Sequence, residues 1–350
     1  MKFIFGVLRY LFIIAVLFIG GIILYGTLTE YKPEPGLVEN IEINGNANTS
    51  ADSSISILNW NIGFGGLGAE MDFFYDGGDM VRASREQWNG HMDGIVNTLL
   101  ESQEIDVYML QEVDQHSKRS YYINQFDSIG KTLPNFQSAF GLNYNVQHVP
   151  LPFTNPMGKV FSGVATYSKF PILGATRHQY PGAFAWPTRI FFLDRCFLTV
   201  RIEYGEHEIV LINTHNSAYD KTGELKAEEM AMLKEYVVNE YNNGNYVIVG
   251  GDFNQCPPDF NPETFVVDKY EGFIPPAMPQ GYIPEGWQVA YDASYPTNRH
   301  LNTPYNQKSF TTLIDFYFVS PNIRVEQVET LNLDFAFSDH QPVLLKVQIM

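Results

Sequence analysis

The sequence predicts an α/β protein that follows one apolar N-terminal segment. Short runs of β-branched and aromatic residues recur from residue 55 to the C-terminus, and two segments with apolar residues at helical spacing lie among them. The chain of 350 residues is 45% hydrophobic, which is ample material for a sizeable core. Because strands alternate with helices, an α/β architecture is favoured over a sandwich made of hairpins alone.

The N-terminal segment differs from the rest of the chain. Lys2 and Arg9 precede an uncharged apolar run of nineteen residues, 10–28, which is long enough to span a bilayer as a helix. The basic residues favour a cytoplasmic N-terminus. A cleaved signal peptide is the alternative, although the run is long and no Ala-x-Ala site follows it. We therefore predict a single-pass membrane anchor over residues 1–30, with the remainder extracytoplasmic, or periplasmic in a bacterium.

The segment that follows, residues 31–54, is polar and rich in turn-forming residues, so it is predicted to be a linker. No second linker and no internal repeat follow it. Residues 55–350 are therefore predicted to form one domain.

Local patterns predict the elements of this domain. Trp88, Met92, Ile95 and Leu99 recur at helical spacing and predict a helix over 84–103, and a similar pattern predicts a second helix over 224–241. Runs rich in Val and Ile predict strands at 55–62, 105–110, 163–167, 197–202, 209–213, 246–249, 313–319 and 343–349.

A long irregular stretch, residues 252–310, contains nine of the twenty prolines. Loops of this length are usually functional or disordered. This one also contains several aromatic residues, which favour a folded wall that faces a substrate: Tyr282, Trp287, Tyr291 and Tyr295.

Glycines follow the first predicted strand at the spacing of a dinucleotide-binding loop, Gly63-x-Gly65-x-x-Gly68. Such a loop must open directly into a helix whose N-terminus meets the pyrophosphate. Here the next ten residues contain further turn glycines and no helical period, and the first predicted helix starts about sixteen residues later. The pattern is therefore interpreted as a turn rather than a cofactor site.

Charge and cysteine content narrow the classes of partner. The formal net charge is −17, so no basic surface for a long polyanion is indicated, although a bound divalent cation can supply positive charge locally. Nucleic acid is thus a disfavoured partner, and no protein partner is indicated. Cys196 and Cys256 allow at most one disulfide and match no zinc pattern, so their state stays open.

Polar residues follow or interrupt the predicted strands at six places: Asn59-Trp60-Asn61, Gln111-Glu112-Val113-Asp114, Thr214-His215-Asn216-Ser217, residues 250–255, Asp315, and Ser338-Asp339-His340. Ligands of α/β proteins bind at the carboxyl ends of strands, so we expect these places to converge.

Each place alone has a simpler interpretation. Glu112 could be a solvated or capping residue, His215 a hydrogen-bonded surface histidine, and the segment around Asp252 a turn. Asp315 is harder to explain in this way, because an acid inside an apolar strand costs several kcal/mol unless it is paired. His340 is a suitable partner for it.

Taken together and in this order, the motifs resemble the endonuclease/exonuclease/phosphatase superfamily, over roughly residues 55–350. The superfamily includes deoxyribonucleases, abasic-site endonucleases, inositol-polyphosphate 5-phosphatases and neutral sphingomyelinases, and this chain is similar to a membrane-anchored bacterial member. The resemblance implies a four-layer α/β/β/α sandwich with two mixed β-sheets and a site at one edge.

The resemblance also implies roles for individual residues. The metal ligands would be Glu112, helped by Asn61 and Asp339, for one Mg²⁺ or Mn²⁺ ion. Oxygen-rich ligands of this kind suit a hard cation. Five residues would form the catalytic set: His215, Asp252, Asn254, Asp315 and His340. Arg195 and Asn216 would contact the substrate, although a surface ion pair with Asp194 explains Arg195 equally well.

Two departures bear on the substrate. Gly63 stands where abasic-site endonucleases have a metal-binding acid, which puts a second metal site in doubt. Phe161 stands where those enzymes have a phosphate-contacting tyrosine.

The expected function is a metal-dependent phosphoester hydrolase, a phosphodiesterase in particular, that acts at the membrane on a lipid head group or a small phosphodiester. An extracytoplasmic nuclease and a catalytically inactive homologue that serves as a binding module are the alternatives. A serine hydrolase built on Ser338-Asp339-His340 is excluded, because adjacent residues of an extended segment point to opposite sides and no Gly-x-Ser-x-Gly motif occurs.

Overall fold

The computed structural model describes residues 2–102, 104–268, 270 and 272–350. Its α-helices are α1 (Lys2–Leu28), α2 (Arg85–Glu101), α3 (Gln125–Thr132) and α4 (Glu224–Asn242). Its strands are β1 (Val38–Asn40), β2 (Asn44–Gly45), β3 (Ser54–Asn61), β4 (Val107–Asp114), β5 (Gln137–Val149), β6 (Gly158–Ser168), β7 (Ile172–Gln179), β8 (Cys196–Tyr204), β9 (His207–His215), β10 (Tyr246–Asp252), β11 (Gln288–Ala290), β12 (Asn298–Arg299), β13 (Thr311–Thr312), β14 (Asp315–Val319), β15 (Ile323–Thr330) and β16 (Val343–Ile349).

Two seven-stranded sheets form the centre of the molecule. The strand order is β1-β7-β8-β9-β10-β14-β11 in one sheet and β15-β16-β3-β4-β6-β5-β2 in the other. Both sheets are mixed, because β9 and β10 are parallel, as are β3 and β4, while the neighbouring pairs are antiparallel. The expected α/β architecture with two mixed sheets is therefore confirmed.

The sheets pack face to face with helices on their outer sides. On β4, Val107 and Met109 point into the core between the sheets, whereas Tyr108 and Leu110 pack on the other side. This alternation follows from the two-residue period of a strand. Helices α2 and α3 pack on the outer face of the sheet that contains β4, and α4 packs on the outer face of the other sheet. The helices and the two sheets thus form four layers.

The segment expected to be a polar linker is partly structured. Val38–Asn40 pairs with β7, and Asn44–Gly45 pairs with β5, so this segment adds an edge strand to each sheet. Ile41 and Ile43 pack against the core between the sheets. The composition gave no sign of this, because polar residues dominate the segment and each strand has at most three residues.

Several elements were absent from the sequence-based prediction, namely α3, β5, β7 and β15 among the longer ones. β5 alternates apolar residues with Asn, Gln and His, which hides its strand character. The predicted strand at 313–319 is divided, since β14 begins at Asp315. In the proline-rich stretch, Tyr282, Trp287 and Tyr291 pack against the core beside α4 instead of facing a substrate.

The first helix stands apart from the sandwich. Within the described residues, Phe3–Leu28 is the one helix long and apolar enough to cross a membrane, although a signal sequence has the same features. Its C-terminal end contacts the domain. Trp186 Nε1 donates a hydrogen bond to Thr27 Oγ1 at 3.2 Å, and Arg189 Nε lies 2.7 Å from Glu30 Oε1.

Two glycines on α2 give a matched test of how tightly this helix packs beside the 337–340 segment. A Cβ on Gly94 would lie 2.3 Å from the ring of Phe337, whereas a Cβ on Gly90 would meet nothing within 4 Å. We expect Gly94→Ala to destabilise the protein by about 1–3 kcal/mol through overpacking. Gly90→Ala should stabilise it by about 0.5–1 kcal/mol, because alanine is the better helix former.

Thermal unfolding of the full-length protein in detergent measures both effects. Equal melting temperatures for the two variants would contradict the close contact between α2 and Phe337.

Candidate active site

The site lies where β3, β4, β9 and β10 end. The parallel pairing of β3 with β4 and of β9 with β10 brings Asn61 next to Gln111 and Asp252 next to His215 in register. Asn61 Nδ2 then bridges the two sheets, since it donates to Asp252 Oδ2 at 3.0 Å and lies 3.4 Å from Glu112 Oε1. The convergence expected from the strand ends is thus present for these residues.

Glu112 reaches the site through an irregularity in β4. The pairing of β4 with β6 shifts register between Leu110 and Val113, and Glu112 has φ 54°, in the left-handed region. A non-glycine residue in this region costs of order 1–3 kcal/mol, and bulges of this kind recur beside active sites. The bulge turns the Glu112 side chain out of the strand's alternation, and it stays 24% exposed.

His340 and Asp315 form a buried pair. His340 Nδ1 lies 2.8 Å from Asp315 Oδ2, and the neighbouring strand end places Asp252 Oδ2 3.7 Å from His340 Nε2. Burial lowers the pKa of His340, but the carboxylates of Asp315, Asp252 and Asp339 outweigh it, so that the pKa lies well above its ordinary value. Burial raises the pKa of Asp315 to about 6, against the influence of His340.

The second nitrogen of His340 faces a residue that sequence reasoning missed. Its Nε2 lies 3.0 Å from Asn298 Nδ2, so the neutral ring accepts a hydrogen bond from this amide. The doubly protonated ring requires the amide to turn its oxygen toward Nε2. Asn298 comes from the proline-rich stretch, and no sequence motif marks it.

Asp252 is held in a fixed orientation. Its Oδ1 accepts a hydrogen bond from the Asn254 backbone N–H at 2.9 Å, and its Oδ2 faces Asn61 and lies 3.4 Å from His215 Nε2. Asn254 has φ 51°, and its Nδ2 donates to the backbone oxygen of Asn216 at 2.9 Å. The segment around Asp252 is therefore more than a surface turn, because every one of these contacts serves to orient one carboxylate.

The side chain of Asn216 does not face the cavity. Its Oδ1 accepts a hydrogen bond from Thr214 Oγ1 at 2.8 Å, and the residue is fully buried and absent from the cavity lining. The expected contact of Asn216 with substrate is therefore not supported. Its backbone oxygen supports Asn254 instead, and its N–H donates to the Asp252 carbonyl at 2.9 Å.

His215 and Arg195 are buried in the cavity wall. Burial lowers the pKa of His215 well below its ordinary value, and nearby Arg195, His340 and Arg119 lower it further. Neither His215 Nδ1 nor Arg195 Nη1 has a hydrogen-bond partner among the described residues. Arg195 is only 7% exposed, so the interpretation as a surface ion pair with Asp194 is wrong.

Next to His340, the cavity wall contains a further acid, Asp339. Burial raises the pKa of Asp339 to about 7, and Glu112 raises it in the same direction, while His340 and Arg299 lower it. The absence of a side chain at Gly63 leaves space for the Asp339 carboxylate, because a Cβ at position 63 would lie 2.8 Å from Asp339 Oδ1. A side chain at position 63, where a second metal ligand would stand, would therefore displace Asp339 and strain the backbone, since Gly63 has φ 49°.

These oxygens fit a hard cation in their chemistry. Asp339 is a buried carboxylate whose neighbours leave its charge poorly balanced, and a cation would relieve that imbalance. Asn61 fits less directly, since its Oδ1 already accepts from the Gly63 N–H at 3.0 Å and its Nδ2 faces the carboxylates. A second lone pair on Oδ1 remains for a ligand.

One described acid–histidine trio has its ligand atoms within 4.8 Å of one another, namely Asp252, Asp315 and His340. We interpret this trio as a hydrogen-bonded group rather than an ion site, because an ion bound there would displace the 2.8 Å bond between Asp315 and His340.

Arg119 is a further residue that the motifs did not reveal. It is buried, donates from Nε and Nη2 to Asp114, and its Nη2 lies 3.8 Å from Glu112 Oε2. Its guanidinium group stacks 3.8 Å from the centre of the Phe64 ring. The only sequence signal was an arginine five residues after Asp114, in a segment for which no element was predicted.

A cavity of about 190 Å³ connects these groups. The polar wall contains Glu112, Asp252, Asn254, Asp339 and His340, and the facing wall is largely aromatic: Phe64, Phe73, Tyr75, Tyr144, Phe192 and Phe310. The proline-rich stretch does contribute to this wall, through Phe273, Pro275 and residues 298–301. The proline-rich stretch therefore does line the cavity, but not with Tyr282, Trp287 or Tyr291, the aromatic residues that the sequence analysis named.

Comparison with known proteins supports the same architecture. Three solved structures share the fold. D. rerio TDP2, humanized by 14 mutations, has a TM-score of 0.55 at 12% identity, over 85% of this chain and 100% of the other. An endonuclease/exonuclease/phosphatase from Beutenbergia cavernae has a TM-score of 0.53 at 17% identity, over 85% and 72%. The human Nocturnin catalytic domain has a TM-score of 0.53 at 16% identity, over 89% and 98%.

No curated protein matches the sequence significantly. The model of the Endonuclease/Exonuclease/phosphatase family matches residues 58–340, which include every strand end that builds the cavity. On this match and the shared fold, the chain belongs to the endonuclease/exonuclease/phosphatase family.

Proposed function

We propose that this protein is a divalent-metal-dependent phosphoester hydrolase that acts on a phosphodiester outside the cytoplasm, at the membrane. Family membership makes phosphoester hydrolysis the expected reaction class. The observation that carries the proposal is a polar cavity wall on which a fixed carboxylate, Asp252, and the pair of His340 with Asp315 lie beside two further acids, Glu112 and Asp339.

Glu112 and Asp339 would hold the cation, with Asn61 through its free lone pair, in one Mg²⁺ or Mn²⁺ site. When bound, such a cation neutralises charge on phosphoryl oxygens. Arg119 lies 3.8 Å from Glu112 and keeps its carboxylate in place. A second cation site is not proposed, because Gly63 offers no side-chain ligand at the position where a second metal-binding acid would stand.

Asp252 would accept the proton of the attacking water. Its Oδ2 faces the cavity beside Asn61, while the Asn254 N–H holds its Oδ1. His340 would donate a hydrogen bond from Nε2 to a phosphoryl oxygen, with Asp315 fixing the ring through Nδ1. Protonated His340 suits this role, because positive charge stabilises the oxygen that becomes more negative in the transition state.

The resemblance places His215 on the phosphate or leaving-group side, where some family members have a general acid, but we assign it a different role. Its lowered pKa keeps the ring neutral, so it has no extra proton to give to a leaving group. A neutral ring that carries its proton on Nε2 donates toward Asp252 Oδ2, 3.4 Å away, and thus orients the base. Arg195, buried with Nη1 unpartnered at the cavity, would contact the phosphate.

The membrane location rests on the apolar helix α1, which would be a single-pass anchor with a cytoplasmic N-terminus. The substrate would be a lipid head group or a small phosphodiester. The net charge of −17 argues against a polyanion, and Phe161 in place of the phosphate-contacting tyrosine of abasic-site endonucleases argues against abasic DNA.

A nuclease remains the second candidate because D. rerio TDP2, whose fold this chain shares, has been solved with a single-strand DNA product. An inactive binding module is disfavoured, since every ionisable residue expected from the family is present: Glu112, His215, Asp252, Asp315, Asp339 and His340.

Removal of the cation should abolish activity. Purified full-length protein in detergent, with Mg²⁺ or Mn²⁺, should hydrolyse bis(p-nitrophenyl) phosphate, and chelation should stop it. Mn²⁺ should also raise the melting temperature of the wild type but not of Glu112→Gln, because only a native state with its ligands binds the ion. Glu86→Gln, on the exposed first turn of α2, is the control. Full activity in chelator would contradict a metal role.

Removal of the proposed base, Asp252, or of the His340 imidazole should strongly reduce catalytic efficiency. We expect Asp252→Asn and His340→Gln each to lower kcat/KM by at least about a hundredfold, the effect of removing a positioned acid or base. His148→Gln, at an exposed histidine on β5, should leave it unchanged. Steady-state kinetics with the chromogenic diester measure this, and near-normal turnover by either site variant would refute the assignment.

Arg195 should act mainly on binding. Arg195→Lys keeps the charge but loses the planar fork, and we expect KM and the inhibition constant of inorganic phosphate to rise about tenfold. Arg324→Lys is the control, since Arg324 is exposed and pairs only with Glu326. An unchanged phosphate inhibition constant for Arg195→Lys would remove this residue from the substrate site.

A further inference from the structure

A second apolar space lies between helix α1 and the catalytic domain. Its walls are the C-terminal part of α1, including Ile19, Ile22 and Ile23, and two loops, residues 149–153 and 187–192. We call this space the helix cleft. Its volume is about 290 Å³, and Thr188 is the one residue of its lining with a polar side chain apart from Tyr75.

The helix cleft adjoins the active-site cavity. Tyr75 and Phe192 line both spaces, and their rings meet edge to face with centroids 6.1 Å apart. On the cavity side of these rings are the acids, the imidazole and the arginine of the site. On the other side the lining is apolar, so the two spaces together match a ligand with a phosphate at one end and a hydrocarbon chain at the other.

The position of α1 gives the helix cleft a level in the bilayer. If residues 10–28 span the membrane, Ile19, Ile22 and Ile23 lie about 7 to 14 Å along the helix from Leu28, at about 1.5 Å per residue. Leu28 then lies near the outer edge of a hydrocarbon core of about 30 Å, so these three residues lie within the outer half of that core, at the level of the acyl chains of the outer leaflet.

The loops at this level are suited to contact with lipid. Leu151, Phe153 and Trp186 are exposed, Phe153 by 61% and Trp186 by 52%, although they are large and apolar. Phe153 packs near Phe18 of α1, with ring centroids 6.4 Å apart. Tryptophan is enriched at the membrane interface, and Trp186 is tied to the end of α1 through Thr27.

We propose that the helix cleft binds an acyl chain of a bilayer phospholipid while the phosphate of the same lipid lies in the active-site cavity. This inference rests on the proposed phosphoester hydrolysis and specifies its substrate class. The lipid would enter sideways from the outer leaflet, between α1 and the two loops, with Tyr75 and Phe192 against the junction of its apolar and polar parts. α1 would then form part of the substrate site as well as an anchor.

The test uses full-length protein in nanodiscs and matched substrates. Dioleoyl phosphatidylcholine, phosphatidylglycerol and phosphatidylethanolamine are compared with the water-soluble glycerophosphodiesters of the same head groups, and bis(p-nitrophenyl) phosphate reports the chemistry alone. We expect at least one lipid to be hydrolysed at least about tenfold faster than its soluble counterpart.

Two substitutions of the same type on α1 separate the cleft from the anchor. Ile22→Trp fills the helix cleft, whereas Ile14→Trp adds the same ring at an exposed position outside its lining. We expect Ile22→Trp to lower the ratio of lipid to chromogenic-diester turnover at least about tenfold and Ile14→Trp to leave that ratio unchanged. Equal ratios for the two variants would overturn the proposal.

A binding measurement distinguishes this inference from the hydrolase itself. Asp252→Asn protein is irradiated with phosphatidylcholine that carries a diazirine on one acyl chain, and labelling is mapped by mass spectrometry. Labelling of residues 149–153 and 187–192 that is lost in Ile22→Trp supports the acyl-chain site, even if no phosphodiester is hydrolysed and the proposed function fails. Labelling that is the same in Ile22→Trp, or that is confined to α1, overturns it, even if the chromogenic diester is hydrolysed.

Discussion

The concentration of negative charge in one buried cavity is the constraint on which the site depends. Asp252, Asp315 and Asp339 are almost fully buried, and Glu112 is close enough to raise the pKa of Asp339. Buried carboxylates are tolerated only when hydrogen bonds or cations compensate for their lost hydration. His340 compensates for Asp315, and the Asn254 N–H with Asn61 compensates for Asp252. The contacts of Asp339 are longer, since Ser338 Oγ donates to its Oδ1 at 3.3 Å and His340 Nε2 lies 3.9 Å from its Oδ2, and burial raises its pKa to about 7.

The register of the strands sets the positions of these charged side chains. In-register parallel pairing aligns Asp252 with His215, and antiparallel pairing aligns Asp252 with Asp315, so two acids and an imidazole meet at one level of the sheet. The second sheet supplies Asn61 and, through its bulge, Glu112. If the register of β10 or of β3 were shifted by one residue, Asp252 or Asn61 would point to the opposite face of its sheet, because side chains alternate with a period of two along a strand.

The environment of each group decides its chemistry more than its residue type does. His215 and His340 are both buried imidazoles, yet the pKa of one is lowered and that of the other raised. Arg195, Arg119 and His340 surround the first, whereas three carboxylates surround the second. One histidine is therefore suited to orient a base and the other to meet a phosphate.

The order of the motifs along the chain was sufficient to predict the superfamily, the two mixed sheets and the convergence of Asn61, Glu112, Asp252, Asp315 and His340. These residues lie where predicted strands end or are interrupted by polar residues, and such places are readable from local apolar patterns. Folding alone decided the rest. Asn298, on the short strand β12, and Arg119 reach the cavity from segments without a motif, and the side chain of Asn216 turns away because its Oδ1 accepts a hydrogen bond from Thr214. The edge strands before residue 54 and the helix cleft arise from contacts between segments about ninety or more residues apart, which no local pattern of residues can encode.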